Sequence, residues 1–295
     1  MSTIGIPRAL FYYYNGDKYV RFWQQVGFDV IVSPPTNRKI MEQGLKLSNT
    51  EFCVPVKVLC GHVWYLRDKV DYIFIPRILG GECHGRRRYG CPKFMGLPEL
   101  VKNTVPDLPP IIAVDVELDP RKLRRAFVTT CKAMGVSKSR VVNALNILLE
   151  DEPNPTPRVE GDLILGVVGH PYLLYDEFLS LNLLGKLSDM GVTYVTSADI
   201  DHTILDTYIK QDYDVYWLYE REMIGAANYF ATNRKFNGII YCVSFGCGPS
   251  SVVSEFMQRI IAKRIPLLML VLDEHTTEIG LLTRIEAFCD MLKWK

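Results

Sequence analysis

Apolar positions along this chain follow two rhythms in turn. Short apolar runs of strand character give way to stretches in which apolar residues recur every three or four positions, with turn residues at the changes. Thr3 to Pro7 reads as a strand, Ala9 to Val26 as a helix closed by Gly27, and Phe28 to Ser33 as a strand ended by Pro34-Pro35. Pro55 to Arg67 has helical spacing, and Asp71 to Pro76 is a buried strand whose proline marks its exit. The residues after it form a loop carrying Cys83 and Cys91. Pro110 to Val116 gives another strand, and Arg121 to Met134 and Val136 to Leu149 give two helices.

Asp151 to Val159 holds three prolines among polar neighbours, the composition of an exposed linker. The pattern therefore predicts two domains, residues 1–155 with Cys53 and Cys91 and residues 156–295 with Cys247. Alternation resumes with the near-continuous apolar strand Leu163 to Gly169, of the kind covered on both faces by helices. Helix Asp176 to Met190, strand Val192 to Thr196 and a helical region from about Asp199 to Thr232 follow. Strand Gly238 to Val243, helix Ser251 to Lys263, strand Pro266 to Leu272 and helix Glu278 to Leu292 complete the series. The expected fold class is α/β: two open, mostly parallel sheets of Rossmann-like or flavodoxin-like type, each with helices on both faces. Thr3 to Ser33 and Leu163 to Thr196 share one pattern and read as pseudo-repeats.

Composition narrows the function classes. The 295 residues are 48% hydrophobic and 23% charged, enough to bury a substantial core, and the formal net charge is +1. No basic field is present to hold a nucleic acid. The N-terminus lacks the charged and apolar regions of a signal peptide, and no run approaches a membrane span, so a cytoplasmic location is expected. In that reducing compartment eight cysteines read as metal ligands, redox groups or small core residues, not as a disulfide framework.

Three of the eight lie in glycine- and proline-rich contexts: Phe52-Cys53-Val54-Pro55, Gly90-Cys91-Pro92 and Gly246-Cys247-Gly248-Pro249. Each looks like a strand end turning into a helix, and such loops collect at the ligand edge of an open α/β sheet. Free amides and the helix dipole there favour a thiolate, proline after cysteine is common among iron–sulfur ligands, and flanking glycines let amides approach cluster sulfurs. Thiolates grouped in this way predict a soft-metal site, with an iron–sulfur cluster first among the options. Cys131, Cys289 and Cys242 fall inside helices or a strand and read as core, while Cys60 is some 10 Å along a helix from Cys53, too far to share one iron. Cys83 is open as a fourth ligand, a redox partner or an exposed thiol. His84 beside it offers a nitrogen ligand or a solvated ring, and Arg86-Arg87-Arg88 a solvated surface or a grip on an anion. A zinc-stabilised binding protein is the minor alternative, because no closely spaced cysteine pair of zinc type occurs. His170 and His275, each after an apolar strand, are candidates to donate a proton or to hydrogen-bond a cluster sulfur, or simply to cap the next helix. Arg284 and Glu286 read as salt-bridge residues.

Several motifs together resemble the acyl-CoA dehydratase activase-related proteins, relatives of 2-hydroxyacyl-CoA dehydratase subunits and of double-cubane cluster proteins. They are Ile4-Gly5-Ile6-Pro7-Arg8-Ala9-Leu10, Phe52-Cys53-Val54-Pro55-Val56-Lys57, Cys91-Pro92-Lys93 with Gly96-Leu97-Pro98, Gly169-His170-Pro171-Tyr172, Phe245-Gly246-Cys247-Gly248-Pro249, Asp273-Glu274-His275-Thr276 and Thr283-Arg284-Ile285-Glu286-Ala287-Phe288. The resemblance implies a 4Fe-4S cluster, or an eight-iron double cubane at a homodimer interface, held by Cys53, Cys91 and Cys247. It further implies that a separate ATP-dependent activase, with its own iron–sulfur cluster, feeds low-potential electrons to this chain in an anaerobic setting. The chain would then reduce a small molecule as a reductase or dehydratase-like component, or serve as a non-catalytic cluster carrier, store or assembly protein. No Gly-x4-Gly-Lys-Ser/Thr loop is present, so ATP use falls to a partner.

Overall fold

A computed structural model describes residues 1–83, 85–150, 159–209 and 215–294. Its contacts divide the chain into two compact units, Met1–Glu152 and Pro153–Lys295. The Asp151 to Val159 linker lies almost wholly outside the described residues, as does His84. Both units are α/β, with mostly parallel sheets and flanking helices, as the alternating pattern predicts. Among the described residues no helix is long and apolar enough to cross a membrane.

Unit 1 runs β1 (Thr3–Ile6), α1 (Tyr12–Val26), β2 (Asp29–Val32), α2 (Arg38–Leu47), α3 (Val54–Leu66), β3 (Tyr72–Cys83), β4 (Arg86–Tyr89), α4 (Pro92–Met95), α5 (Leu97–Thr104), β5 (Ile111–Glu117), α6 (Pro120–Ala133) and α7 (Lys138–Leu149). The parallel strands lie in the order β2, β1, β3, β5, and β4 returns antiparallel along the end of β3. Helix α1 starts three residues later than its periodicity predicts. Leu10 takes a left-handed φ of 49°, and Pro7 to Phe11 form a turn instead of a first helical turn. Trp23 and Phe22 on α1 reach Phe74 on β3 and Phe127 on α6, with ring centroids 4.8 to 6.5 Å apart, and all four rings are buried. This aromatic cluster is the heart of the unit's core.

Two departures in unit 1 have clear causes. Pro76 does not end its strand; β3 continues through it for twelve residues in all. β1 pairs with β3 only at Tyr72 and Ile73, so at Pro76 the edge toward β1 is already free and no ladder hydrogen bond is lost there. The predicted loop after Pro76 is therefore largely a β-hairpin, with Cys83 at its strand end opposite Arg86. Helix α2 has no counterpart among the elements read from periodicity. Asn37 caps it by accepting the Ile40 amide at 3.1 Å, and its interior Gly44 is a packing device. A Cβ at Gly44 would drive into the Lys57 carbonyl oxygen, and one at Gly61 into that of Ile40, so α2 and α3 cross backbone to backbone.

Unit 2 runs β6 (Ile164–Val168), α8 (Pro171–Leu174), α9 (Leu183–Asp189), β7 (Thr193–Thr196), α10 (His202–Thr207), α11 (Leu218–Thr232), β8 (Gly238–Ser244), α12 (Gly248–Phe256), β9 (Leu267–Leu272) and α13 (Glu278–Lys293). Its strands are all parallel, in the order β7, β6, β8, β9. The helix expected over Asp176 to Met190 is confined to α9, because Leu181 and Asn182 take left-handed φ of 52° and 54°. The long helical region divides into α10 and α11, with residues 210–214 outside the described set. Phe230, Phe236, Tyr241 and Ile239 centre a core of buried residues from α11, β8 and the helices around them.

Candidate functional site

The two sheets share a strand order, the second strand lying outside the first and the third on its other side. In such sheets the connections leave the central pair in opposite directions, opening a crevice at their carboxyl ends. In unit 1 that crevice lies between the exits of β1 and β3, and in unit 2 between those of β6 and β8.

Hydrogen bonds knit the unit 1 edge together. The Arg8 amide donates to Ser33 Oγ at 2.8 Å, Ser33 Oγ lies 2.8 Å from His62 Nδ1, and Thr36 Oγ1 lies 3.0 Å from His62 Nε2. The exits of β1 and β2 and the start of α2 are thus tied to a ring on α3. That ring is completely buried, and burial, reinforced by the nearby Arg8 guanidinium, lowers its pKa to about 3. A neutral imidazole satisfies the network, one ring nitrogen donating its hydrogen to its hydroxyl neighbour and the other accepting from the second hydroxyl.

Cys53 and Cys91 belong to this unit and occupy equivalent local positions. Each is the residue just before a helix, α3 or α4, with proline in the first helical turn. Cys91 follows strand β4 as predicted, whereas Cys53 follows the turn after α2, so only the former is a strand-to-helix junction. Lys93 joins the two segments: its ammonium donates to the Glu51 carbonyl at 3.2 Å and lies 5.8 Å from the centre of the Phe52 ring. Cys53 is buried and Cys91 half-buried. Cys83 is half-buried in the hairpin. Cys60 is sealed in α3, where burial raises its thiol pKa to about 11, which makes it inert core. Cys131 is likewise core, its pKa raised by burial to about 12.

In unit 2, His170 and Cys247 take the two sides of the β6/β8 crevice. Both immediately precede helices, α8 and α12, again with proline in the first turn. His170 is buried; its Nε2 lies 3.3 Å from Glu220 Oε1 on α11, and its ring stacks on Tyr172 at 4.8 Å. Sequence spacing gave no hint of Glu220, an acidic residue buried on α11, whose other buried residues are mostly apolar. The Cys247 thiol lies 3.1 Å from Ser250 Oγ, one helical turn on, and Tyr241 beneath it donates to the Ser250 carbonyl at 3.3 Å. His275 has a different role. Its ring is exposed and its amide donates to Asp273 Oδ1 at 2.9 Å within a turn before α13. Arg284 bonds the Met269 carbonyl of β9 at 2.6 Å, so it ties α13 to the sheet instead of forming the expected ion pair. Cys242 and Cys289 are buried, as their places in β8 and α13 predict.

A family match spans residues 3–200, from β1 through all of unit 1 and on past β7; the family is described as CoA enzyme activase uncharacterised domain (DUF2229). No curated protein matches the chain. The match corrects the principal functional expectation from sequence. An activase domain belongs on the side that delivers activation, whereas the motifs were read as those of a cluster-bearing acceptor fed by a separate activase. Among the described residues no three or more His, Cys, Asp or Glu side chains gather as a metal-holding group, in agreement with the correction. The 4Fe-4S acceptor, its double-cubane form, the cluster-carrier variant and the zinc alternative are withdrawn together as accounts of function. With more than half of its length inside the match, this chain belongs to the CoA enzyme activase uncharacterised-domain family.

Proposed function

We propose that this chain works on the activating side of an ATP-driven CoA-enzyme system and engages a dehydratase-type CoA enzyme as its partner. The family match over residues 3–200 carries this reading. It reverses the direction of the partnership drawn from the motifs: the partner is the enzyme to be activated, not an activase acting on this chain. The resemblance of those motifs to acyl-CoA dehydratase activase-related proteins supports the choice of partner. Because the sequence has no Gly-x4-Gly-Lys-Ser/Thr phosphate loop, we assign nucleotide hydrolysis to a companion chain.

The working groups in this proposal are those at the two carboxyl edges, Cys53 and Cys91 in unit 1 and His170 and Cys247 in unit 2. Strand ends of this kind are where α/β proteins place chemistry, and thiol and imidazole groups there are suited to proton and thiol chemistry during activation. Cys83 and His275 are assigned structural parts in the hairpin and the α13 turn. The test is retention of the purified chain on an immobilised 2-hydroxyacyl-CoA dehydratase, in the presence and absence of ATP and the companion chain. Specific retention is expected. Equal retention on an unrelated CoA enzyme would overturn the partner assignment.

A further inference from the structure

We infer that the helical hairpin α6–α7 of unit 1 is a docking surface for an acidic patch on the partner protein, an inference that rests on the CoA-enzyme partnership proposed above. The net charge of +1 conceals a division. Met1–Glu152 holds 22 Lys and Arg against 15 Asp and Glu, and Pro153–Lys295 holds 12 against 18. The whole excess of unit 1 lies in one place. From Pro120 to Leu149 the chain has seven Lys and Arg and no Asp or Glu, and the rest of the unit is balanced. The two helices bury Phe127 and Cys131 from α6 and Val141, Ala144 and Leu145 from α7, and most of the cations are left exposed.

The fold gains nothing from this charge. Arg121 and Lys122 stand in the first turn of α6, and Lys138 and Arg140 in the first turn of α7, where the positive end of the helix dipole disfavours a cation; neither first turn holds an acid. Like charges four positions apart, as at Arg121 and Arg125, oppose the helix further. Three of the cations are held within the unit: Lys122 pairs with Glu117 at 2.8 Å, Arg121 lies 3.6 Å from Asp119, and Arg140 donates to the Val26 carbonyl at 3.3 Å. Arg125, Lys132 and Lys138 are exposed, and no carboxylate among the described residues pairs with them. Arg125 and Lys132 lie two turns apart along one face of α6, and Lys138 opens α7 just beyond it. Local rules broken repeatedly in one direction, with no return inside the fold, point to a use outside it. A protein surface fits this charge better than other polyanions do. Phe127, the only aromatic residue of the hairpin, is buried, so no exposed ring is there to stack on nucleic-acid bases. Val142 is its one exposed large apolar side chain, too little to seat the hairpin in a bilayer. Helix α6 is about 20 Å long, within the width of a standard protein footprint of about 800 Å². Cations spread along such a face steer an acidic partner into contact and fix its orientation.

Association of the full chain with immobilised 2-hydroxyacyl-CoA dehydratase, followed by biolayer interferometry with and without ATP and the companion chain, tests this with two variants of equal net charge. One combines Arg125→Glu, Lys132→Glu and Lys138→Glu; the other combines Lys39→Glu, Lys46→Glu and Lys102→Glu, which reverse exposed cations elsewhere on unit 1. At about 20 mM salt the hairpin variant is expected to associate at least about tenfold more slowly than the wild type, and the control less than about threefold more slowly. Raising salt to about 300 mM is expected to erase most of the difference. The milder set Arg125→Gln, Lys132→Gln and Lys138→Gln is expected to fall between wild type and full reversal. A folded hairpin variant that associates as fast as the wild type, or a control slowed equally, would overturn the inference and leave the partnership standing. A wild-type chain that does not bind the dehydratase would overturn the partnership and the inference with it. Hairpin-dependent binding of duplex DNA or of phosphatidylglycerol vesicles that is tighter than binding of the dehydratase would overturn it in favour of that polyanion.

Discussion

Gly61→Ala is expected to destabilise unit 1 by about 3 kcal/mol, the upper range for overpacking a tight contact, and to lower its unfolding temperature by roughly 10 °C. The new methyl would meet the Ile40 carbonyl oxygen, a backbone atom that cannot rotate away, so α2 and α3 must separate along their crossing. Gly44→Ala acts on the facing contact with Lys57 and is expected to have a similar effect, while the double variant should cost less than the sum, because one separation relieves both clashes. Separation would also pull His62, next to Gly61, away from Ser33 and Thr36. Thermal unfolding followed by circular dichroism measures the shift. A change within about 0.5 kcal/mol, the range of an ordinary surface substitution, would show that the two helix backbones do not touch.

Acidification has the second large expected effect, and its source is His62. The unfolded chain takes up a proton near the ordinary histidine value of 6.5, whereas the native ring resists protonation until about pH 3. Between those values the unfolded state binds more protons, so stability is fully present above about pH 6.5 and is lost progressively as pH falls toward 3. A shift of that size corresponds to a loss on the order of 5 kcal/mol from this one residue. Urea unfolding at a series of pH values measures it, and His62→Gln should remove most of the slope between pH 6.5 and 4. Arg8→Gln should flatten it in part, because it removes the cation that adds to the burial effect. A wild-type slope unchanged by His62→Gln would show that other groups control acid stability.

The alternation of strands and helices was legible because each sheet is mostly parallel and covered on both faces, so its strands read as plain apolar runs. The shared strand order of the two units follows the repeated opening pattern at Thr3 and Leu163. What periodicity missed depends on contacts distant in sequence. Pro76 looks like a strand end until one knows that β1 has already stopped pairing beside it. Gly44 looks like a helix breaker until α3 is placed against it. Leu181 and Asn182 give no sequence sign of the left-handed turn that shortens α9.

The candidate site was legible in part. Cys53, Cys91 and Cys247 stand out by their glycine and proline contexts and His170 by its place after an apolar strand, and all four stand immediately before helices. Glu220, Ser33 and Thr36 carried no motif; burial and hydrogen bonding alone reveal them. The motif resemblance identified the activase-related family correctly and reversed this chain's role within it.

The most direct measurement of the central claim is an add-back assay. An extract from which this chain has been depleted is assayed for ATP-dependent 2-hydroxyacyl-CoA dehydration before and after the purified chain is returned. The account predicts that turnover falls on depletion and recovers on add-back only while ATP is supplied; turnover that is indifferent to the chain, or recovery without ATP, would contradict it.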